Sequence, residues 1–263
     1  MSSFDLGRAG AVALITGGAS GIGRGVAEVF VEAGYRLVLA DVDASTGRQA
    51  ADELSALGHE VEFMPCDVAD ESQVAATIQA AARRWQRLDF LMNNAGVVGH
   101  QTSIENLEHE ELDRVLAIDL KSVFYTCKHV IPLMRQGGGG SILNVASITA
   151  DTGSAYYTAY SVAKSGVIAL TRGLARQIGR FNIRINCLSP GSIGGTGLMQ
   201  EYYASHPEQQ SQDRLGLMKK IPMGRPGRPR DVAHLALFLA STLAEHIQGA
   251  ILTIDGGESL GSQ

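Results

Sequence analysis

The stretch that decides the fold runs from Ala11 to Asp41. It begins Ala11-Val12-Ala13-Leu14-Ile15-Thr16, continues Gly17-Gly18-Ala19-Ser20-Gly21-Ile22-Gly23, and closes on Arg36-Leu37-Val38-Leu39-Ala40-Asp41. The first and last runs are apolar at consecutive positions, as a strand covered on both faces requires. Residues 22–33 between them follow a helical pattern. Glycines in the turn let the backbone bend tightly and come close to a pyrophosphate, while the helix N-terminus offers free N–H groups and a partial positive charge. The spacing is Gly-x-x-x-Gly-x-Gly rather than Gly-x-Gly-x-x-Gly, and a purely structural turn would look the same. The strand–turn–helix context favours dinucleotide binding, and so does Asp41, eighteen residues after Gly23 at the end of the second strand. A carboxylate there suits the adenosine ribose hydroxyls and repels a 2′-phosphate. Neither Ser20 nor Val42 supplies the positive charge that NADP would want, so NAD is the expected cofactor.

The same alternation repeats along the chain. Segments 11–16, 36–41, 61–66, 88–93, 141–146, 183–188 and 250–255 read as strands; 22–33, 45–57, 71–85, 107–135, 157–180 and 230–241 read as helices. The expected fold is therefore α/β, a single-domain Rossmann-type doubly wound parallel sheet of about seven strands with helices on both faces. No linker, repeat or low-complexity tract divides it; Gly137 to Gly140 make a turn ahead of the fifth strand. In such sheets ligands bind beyond the carboxyl ends of the strands, so residues just after a strand carry functional weight.

Composition narrows the classes. With 263 residues, 45% hydrophobic and 19% charged, the chain resembles an ordinary globular protein. A net charge of −5 without a basic cluster argues against nucleic acid. Arg225, Arg228 and Arg230, set among Gly and Pro, read as a solvated loop. Cys66, Cys127 and Cys187 are odd in number and widely spaced, which suggests neither disulfides nor a metal knuckle. The seven histidines include no His-Glu-x-x-His, and His109 and His234 read as helix-surface residues. No apolar run reaches the ~18 residues of a membrane span. The N-terminal apolar stretch reads as a buried strand, not a signal core. A cytoplasmic location is the resulting expectation.

Later in the chain, Ala155-Tyr156-Tyr157-Thr158-Ala159-Tyr160-Ser161-Val162-Ala163-Lys164 places three tyrosines within five positions. Only Tyr160 has a lysine four residues on, on the same helix face. A neighbouring ammonium favours the phenolate, yet Tyr-x-x-x-Lys alone is a weak signal.

With its companions it becomes specific. The chain resembles the short-chain dehydrogenase/reductase family from about Gly10 to Gly257. Thr16 to Gly23 match the family's cofactor turn, with Gly17, Ser20, Gly21, Ile22 and Gly23 facing or shaping the pyrophosphate site. Asp67-Val68 match the pair near adenine, and Asn93-Asn94-Ala95-Gly96 the motif after the fourth strand, with Asn94, Ala95 and Gly96 at the cofactor. Ser147, thirteen residues before Tyr160, matches in spacing; Pro190-Gly191 follow the sixth strand and Asp255-Gly256-Gly257 the last.

The resemblance implies transfer of a hydride between NAD(H) and a secondary alcohol or ketone. Tyr160 is then the general acid/base, Lys164 together with the positive nicotinamide lowers its pKa while also holding the nicotinamide ribose, and Ser147 fixes the substrate oxygen. Tyr156 and Tyr157 are left as pocket wall or packing.

Two departures stand out. Asp119, in Leu116-Ala117-Ile118-Asp119-Leu120, occupies the place of an asparagine that helps hold a proton-relaying water. If the backbone carbonyl holds that water, aspartate serves; if the side-chain amide does, the relay is altered. The alternative is an ordinary helix aspartate. Second, the usual threonine five residues after Pro190 is Gly195, with Thr196 one later. Gly194-Gly195 would let the loop bring Thr196 in, and the Ile193 backbone is the other candidate for the carboxamide.

Residues 192–228, with Leu198, Met199, Tyr202, Tyr203, Leu215, Met218 and Met223, read as a substrate lid over a modestly apolar pocket. No substrate is legible. The helices at 107–135 and 157–180, which pair subunits in the family, imply a homotetramer. Competing readings are an NADP-dependent keto or acyl reductase, disfavoured by Asp41, and a dinucleotide-binding scaffold without turnover, disfavoured by Ser147, Tyr160 and Lys164. A nucleotide-sugar epimerase or dehydratase would want a larger C-terminal domain than remains after residue 190.

Overall fold

The computed structural model describes residues 9–196 and 220–261. Seven strands form one sheet in the order β3-β2-β1-β4-β5-β6-β7, every neighbouring pair parallel. They are β1 (Val12–Thr16), β2 (Arg36–Asp41), β3 (Val61–Pro65), β4 (Phe90–Asn93), β5 (Gly140–Val145), β6 (Ile183–Pro190) and β7 (Ile251–Ile254). The unbroken apolar runs follow from this burial. In β1, Ala13 and Ile15 pack into one core and Val12 and Leu14 into the other, because successive side chains point to opposite faces. Leu37 and Leu39 of β2 divide from Val38 and Ala40 in the same way.

On the first face lie α1 (Gly21–Glu32), α2 (Ala44–Ala56) and α8 (Pro229–Ala240); on the second lie α3 (Glu71–Trp85), α5 (Ser122–Gln136) and α7 (Thr158–Ile178). Two shorter helices, α4 (His109–Leu116) and α6 (Thr149–Thr152), sit toward the carboxyl edge of the sheet. The N-termini of α2 and α3 are capped: Asp43 accepts from the N–H groups of Ser45 and Thr46, and Asp70 from those of Ser72 and Gln73. The N-terminus of α1 differs, because Ser20 makes no capping hydrogen bond.

Two expectations change, and a third lies outside the described residues. The segment 107–135 is not one regular helix: α4 and α5 are joined by a wide π-helical turn, Ala117–Lys121, that carries Asp119. Such a turn accommodates one extra residue and is met often at functional sites. Arg225 and Arg230 are also engaged, not simply solvated. Arg225 pairs with Asp231 and Arg230, in the first turn of α8, with Glu32 of α1. Of the expected lid, Leu198, Met199, Tyr202, Tyr203, Leu215 and Met218 lie outside the described residues.

Cys66, Cys127 and Cys187 are free and buried. Among the described residues no cluster of three or more His, Cys, Asp or Glu is fit to hold a metal, and no helix is long and apolar enough to cross a membrane.

Candidate active site

The central strands β1 and β4 are neighbours although β2 and β3 intervene in sequence, so the chain reverses direction across the sheet there. Loops leaving their carboxyl ends diverge and leave a crevice. That crevice is a cleft of about 550 Å³.

One end of it is built by the glycine turn. Asn94 donates its amide hydrogens to the carbonyls of Thr16 and Gly17, and the Thr16 hydroxyl accepts from the N–H groups of Asn94 and Ala95. These bonds clamp the end of β4 to the turn. Gly23 is what lets the turn close: a Cβ there would lie 2.1 Å from the Gly17 carbonyl oxygen. Gly23 thus shapes the turn from beneath, while Gly17, Ser20, Gly21 and Ile22 line the cleft. Thr196 reaches the same place; a Cβ on Gly21 would lie 3.4 Å from its Cα.

Beyond β2 and β3 the cleft is lined by Asp41, Asp67 and Val68. Asp41 accepts from the Ala19 N–H at 3.0 Å and from the Asp43 N–H at 3.1 Å, one bond to each oxygen. Each oxygen keeps acceptor capacity for a pair of hydroxyls. Among the described residues that line the cleft, Lys164 is the one cation, and it stands at the opposite end. Arg24, next in sequence after Gly23, is turned away and bonded to Glu28, Glu53 and the Ala50 carbonyl.

The opposite end gathers side chains from four places. Ser147 follows β5, Tyr160 and Lys164 lie in α7, Asp119 comes from the π turn, and Pro190, Gly191 and Ile193 follow β6. Ser147 hydrogen-bonds Tyr160 and its hydroxyl accepts from the Thr149 N–H at 3.3 Å. The Lys164 ammonium lies 5.5 Å from the Tyr160 ring centre and donates to the Val145 carbonyl at 3.2 Å. It also forms a 2.9 Å ion pair with Asp119. Asp119 is 0% exposed, and its two oxygens share the Val97 N–H at 3.1 and 3.3 Å. Gly96 makes room for the pair, since a Cβ there would lie 2.5 Å from an Asp119 oxygen.

Burial and Asp119 act against the expected downward pull of Lys164 on the Tyr160 phenol, which is present but outweighed. Burial pushes Tyr160 up, Lys164 pulls it back, and Asp119 pushes it up again, so the direction is upward. For Lys164, burial opposes the charge, but Asp119 and Tyr160 outweigh it and hold the ammonium above its usual range. Asp119 is itself raised by burial, against the pull of Lys164 and the Val97 N–H.

Of the three tyrosines, Tyr160 and Tyr157 line the cleft, whereas Tyr156 is 53% exposed. Several contributors carry no local sequence signal. Glu258 accepts from both the N–H and the hydroxyl of Ser192, fixing the start of the loop after β6. Glu111 accepts from the His100 N–H and from Arg114, tethering the loop that walls the substrate side. A buried chain of hydrogen bonds, Asn93 to Asn144 to Thr171 to the Val167 carbonyl, ties β4 and β5 to α7. Asn144 and Thr171 are both 0% exposed.

The residues fit a nicotinamide dinucleotide: an uncapped helix N-terminus behind a glycine turn, a carboxylate with spare acceptors beyond β2, and a Tyr–Lys–Ser cluster across the cleft.

A family model described as enoyl-(acyl carrier protein) reductase matches residues 17–259. A 3-oxoacyl-[acyl-carrier-protein] reductase of Chlamydia pneumoniae is 36% identical over 256 residues, 97% of this chain and 99% of its own. Levodione reductase of Leifsonia aquatica is 36% identical over 251 residues, 94% of each chain. A crystal structure of levodione reductase superposes with a TM-score of 0.92 at 34% identity, covering 96% of this chain and 99% of that one. The 3-ketoacyl-(acyl-carrier-protein) reductase of Brucella melitensis, crystallised with NADH, gives 0.87 at 33% identity, covering 95% and 99%. The crevice between β1 and β4, its glycine turn and its Tyr–Lys pair thus sit on a backbone shared along nearly its whole length, and the chain belongs to the short-chain dehydrogenase/reductase family.

Proposed function

We propose that this oxidoreductase interconverts a secondary alcohol and its ketone with NAD(H) as the preferred cofactor. The observation that carries the cofactor choice is the adenine end of the cleft. Asp41 and Asp67 stand there without a cation among the described residues, and Arg24 is committed to Glu28 and Glu53.

When bound, the nicotinamide supplies or accepts the hydride. Tyr160 donates its phenolic proton to the carbonyl oxygen in reduction and takes the alcohol proton in oxidation. The Ser147 hydroxyl holds the substrate oxygen beside that phenol, and the Lys164 ammonium, anchored on Val145 and Asp119, supports the charge that develops. Asp119 completes this set as the partner of Lys164. Gly17, Ser20, Gly21, Ile22 and Thr196 bind the pyrophosphate side, Asp67 and Val68 the adenine, and Asn94, Ala95, Gly96, Pro190, Gly191 and Ile193 the nicotinamide side.

Val98, Ile148, Tyr157 and Ile193 give the substrate side an apolar character. A second reading, reduction of a 3-oxoacyl thioester, draws on the printed activity of the Chlamydia pneumoniae relative. Assembly as a homotetramer draws on Phe124 of α5 and Val162 of α7, 51% and 56% exposed, and light scattering measures it. A cytoplasmic location draws on three reduced cysteines.

Parallel fluorescence titrations with NADH and NADPH test the cofactor reading. Tighter NADH binding is expected; tighter NADPH binding refutes it. A panel of alcohols, ketones and 3-oxoacyl thioesters then separates the two substrate classes.

A further inference from the structure

The Lys164–Asp119 pair has a consequence for the direction in which the site runs. Asp119 is fully buried and Lys164 is 4% exposed, so neither charge is screened by water. The carboxylate is pinned by the Val97 N–H within the wide turn Ala117–Lys121, and Gly96 leaves no side chain between it and the ammonium. A neutral amide at 119 would take the opposing charge away, leaving whatever charge Lys164 carries uncancelled at Tyr160. A carboxylate 2.9 Å from the ammonium cancels much of it.

We propose, building on the alcohol/ketone reading, that Asp119 is a fixed counter-charge to Lys164 that keeps the proton on Tyr160. The site is then set for carbonyl reduction at neutral pH and for alcohol oxidation only in alkali. In reduction the phenolic O–H of Tyr160 breaks and its proton forms the new alcohol O–H. The carbonyl carbon receives the hydride, the reduced dinucleotide is oxidised, and Tyr160 is left as phenolate until solvent reprotonates it. Oxidation is the reverse and must begin from that phenolate. Asp119 leaves the overall equilibrium untouched; it sets the pH at which each direction proceeds.

The other groups around the pair do not take over this role. Cys187, from β6, is a neutral thiol pushed up to about 11, chiefly by burial. Tyr157 is a neutral phenol, raised by burial. Ser147 contributes an uncharged hydroxyl, and Arg114 of α4, which also acts on Asp119, is bonded to the oppositely charged Glu111. Burial raises Tyr160 first, Lys164 opposes it and Asp119 adds to the rise.

The variant is Asp119→Asn, which keeps the side-chain shape and an acceptor for Val97 while removing the charge. The primary readout is the ultraviolet difference absorbance of tyrosinate during a pH titration of the free protein. The signal of Tyr160 is isolated by subtracting the same titration of a Tyr160→Phe background. The wild-type phenol is expected to ionise above the ordinary tyrosine value of about 10, and D119N at a lower pH than wild type. Alcohol oxidation at pH 7, relative to its own alkaline plateau, should rise on the order of tenfold in D119N, since about 1.4 kcal/mol of lost repulsion is tenfold in phenolate.

Coincident tyrosinate titrations in a D119N protein that binds NADH normally would overturn the proposal and reduce Asp119 to a support for Val97. Should D119N not fold, the wild-type titration still decides, because ionisation of Tyr160 below the ordinary value is incompatible with the counter-charge. A lowered titration in D119N without turnover on any substrate would support the counter-charge and fault the alcohol/ketone reading instead.

Discussion

Two aspartates stand at opposite ends of one cleft and live in opposite surroundings. Asp41 closes β2, half-buried, with a single backbone N–H on each oxygen and no cation beside it in the cleft lining among the described residues. Asp119 sits in a widened helical turn, shut off from solvent, its charge answered at 2.9 Å by Lys164. The first keeps its acceptors toward the open cleft; the second is shut off from water and spends its charge on the ammonium beside it. Equal residue type therefore says little until burial and partners are known.

That contrast can be broken at several points. Tyr160→Phe should cost on the order of 10³-fold in turnover while leaving NADH affinity within about twofold, because a general acid/base is worth 10²–10⁴-fold and the phenol is not the main cofactor contact. Steady-state rates beside a fluorescence titration check it; retained turnover would remove Tyr160 from the chemistry. Lys164→Met should strand the Asp119 charge and lower unfolding free energy by about 3–5 kcal/mol in a denaturant titration. Adding Asp119→Leu should recover a good part of that loss, and an unrecovered double variant would mean the pair is not the source.

Asp41→Ala should leave stability nearly unchanged and weaken NADH about tenfold, the usual scale for a lost charge-assisted hydrogen bond. It should also narrow the margin over NADPH, and an unaltered margin would reject the ribose assignment.

The smallest effect is expected at Glu111. The Arg114 hydrogen bonds hold its carboxyl below the ordinary 4.5, burial opposing and the His100 N–H assisting. A carboxyl lowered in the folded state stabilises above its unfolded value, and that contribution disappears as pH falls through the lower folded value. Glu111→Gln should therefore melt below wild type at pH 7, and the gap should close in acid. A gap that persists unchanged at low pH would mean the loss is not electrostatic.

Much of this was readable from the sequence. Strands buried on both faces write themselves as unbroken apolar runs, and β1 and β2 were located to within a residue from Ala11–Thr16 and Arg36–Asp41. The glycine turn, Asp41 and the Tyr160–Lys164 spacing are local patterns, and the fold brings them to one cleft. The π turn was invisible because one additional residue in a turn barely disturbs helical periodicity. The upward direction at Tyr160 was missed for a related reason: Tyr-x-x-x-Lys reveals the ammonium but not the depth of burial nor the carboxylate opposite. Glu258 on Ser192, Glu111 on His100 and Asn144 on Thr171 join residues remote in sequence, where no spacing rule applies.

The three buried cysteines lead somewhere different. Burial pushes Cys66 up, Cys127 to about 12 and Cys187 to about 11, so none is thiolate at neutral pH; Cys66 also borders the cleft, whereas Cys127 and Cys187 do not. Each lies in the core beneath α3, α5 or α7, on one face of the sheet. Cys127 and Cys187 line no cleft, so their alkylation proceeds through opening of that layer, and the rate at which these two thiols label becomes an intrinsic clock for it. Without any engineered probe, the enzyme reports how often its second face comes apart, and how much a bound dinucleotide slows that opening.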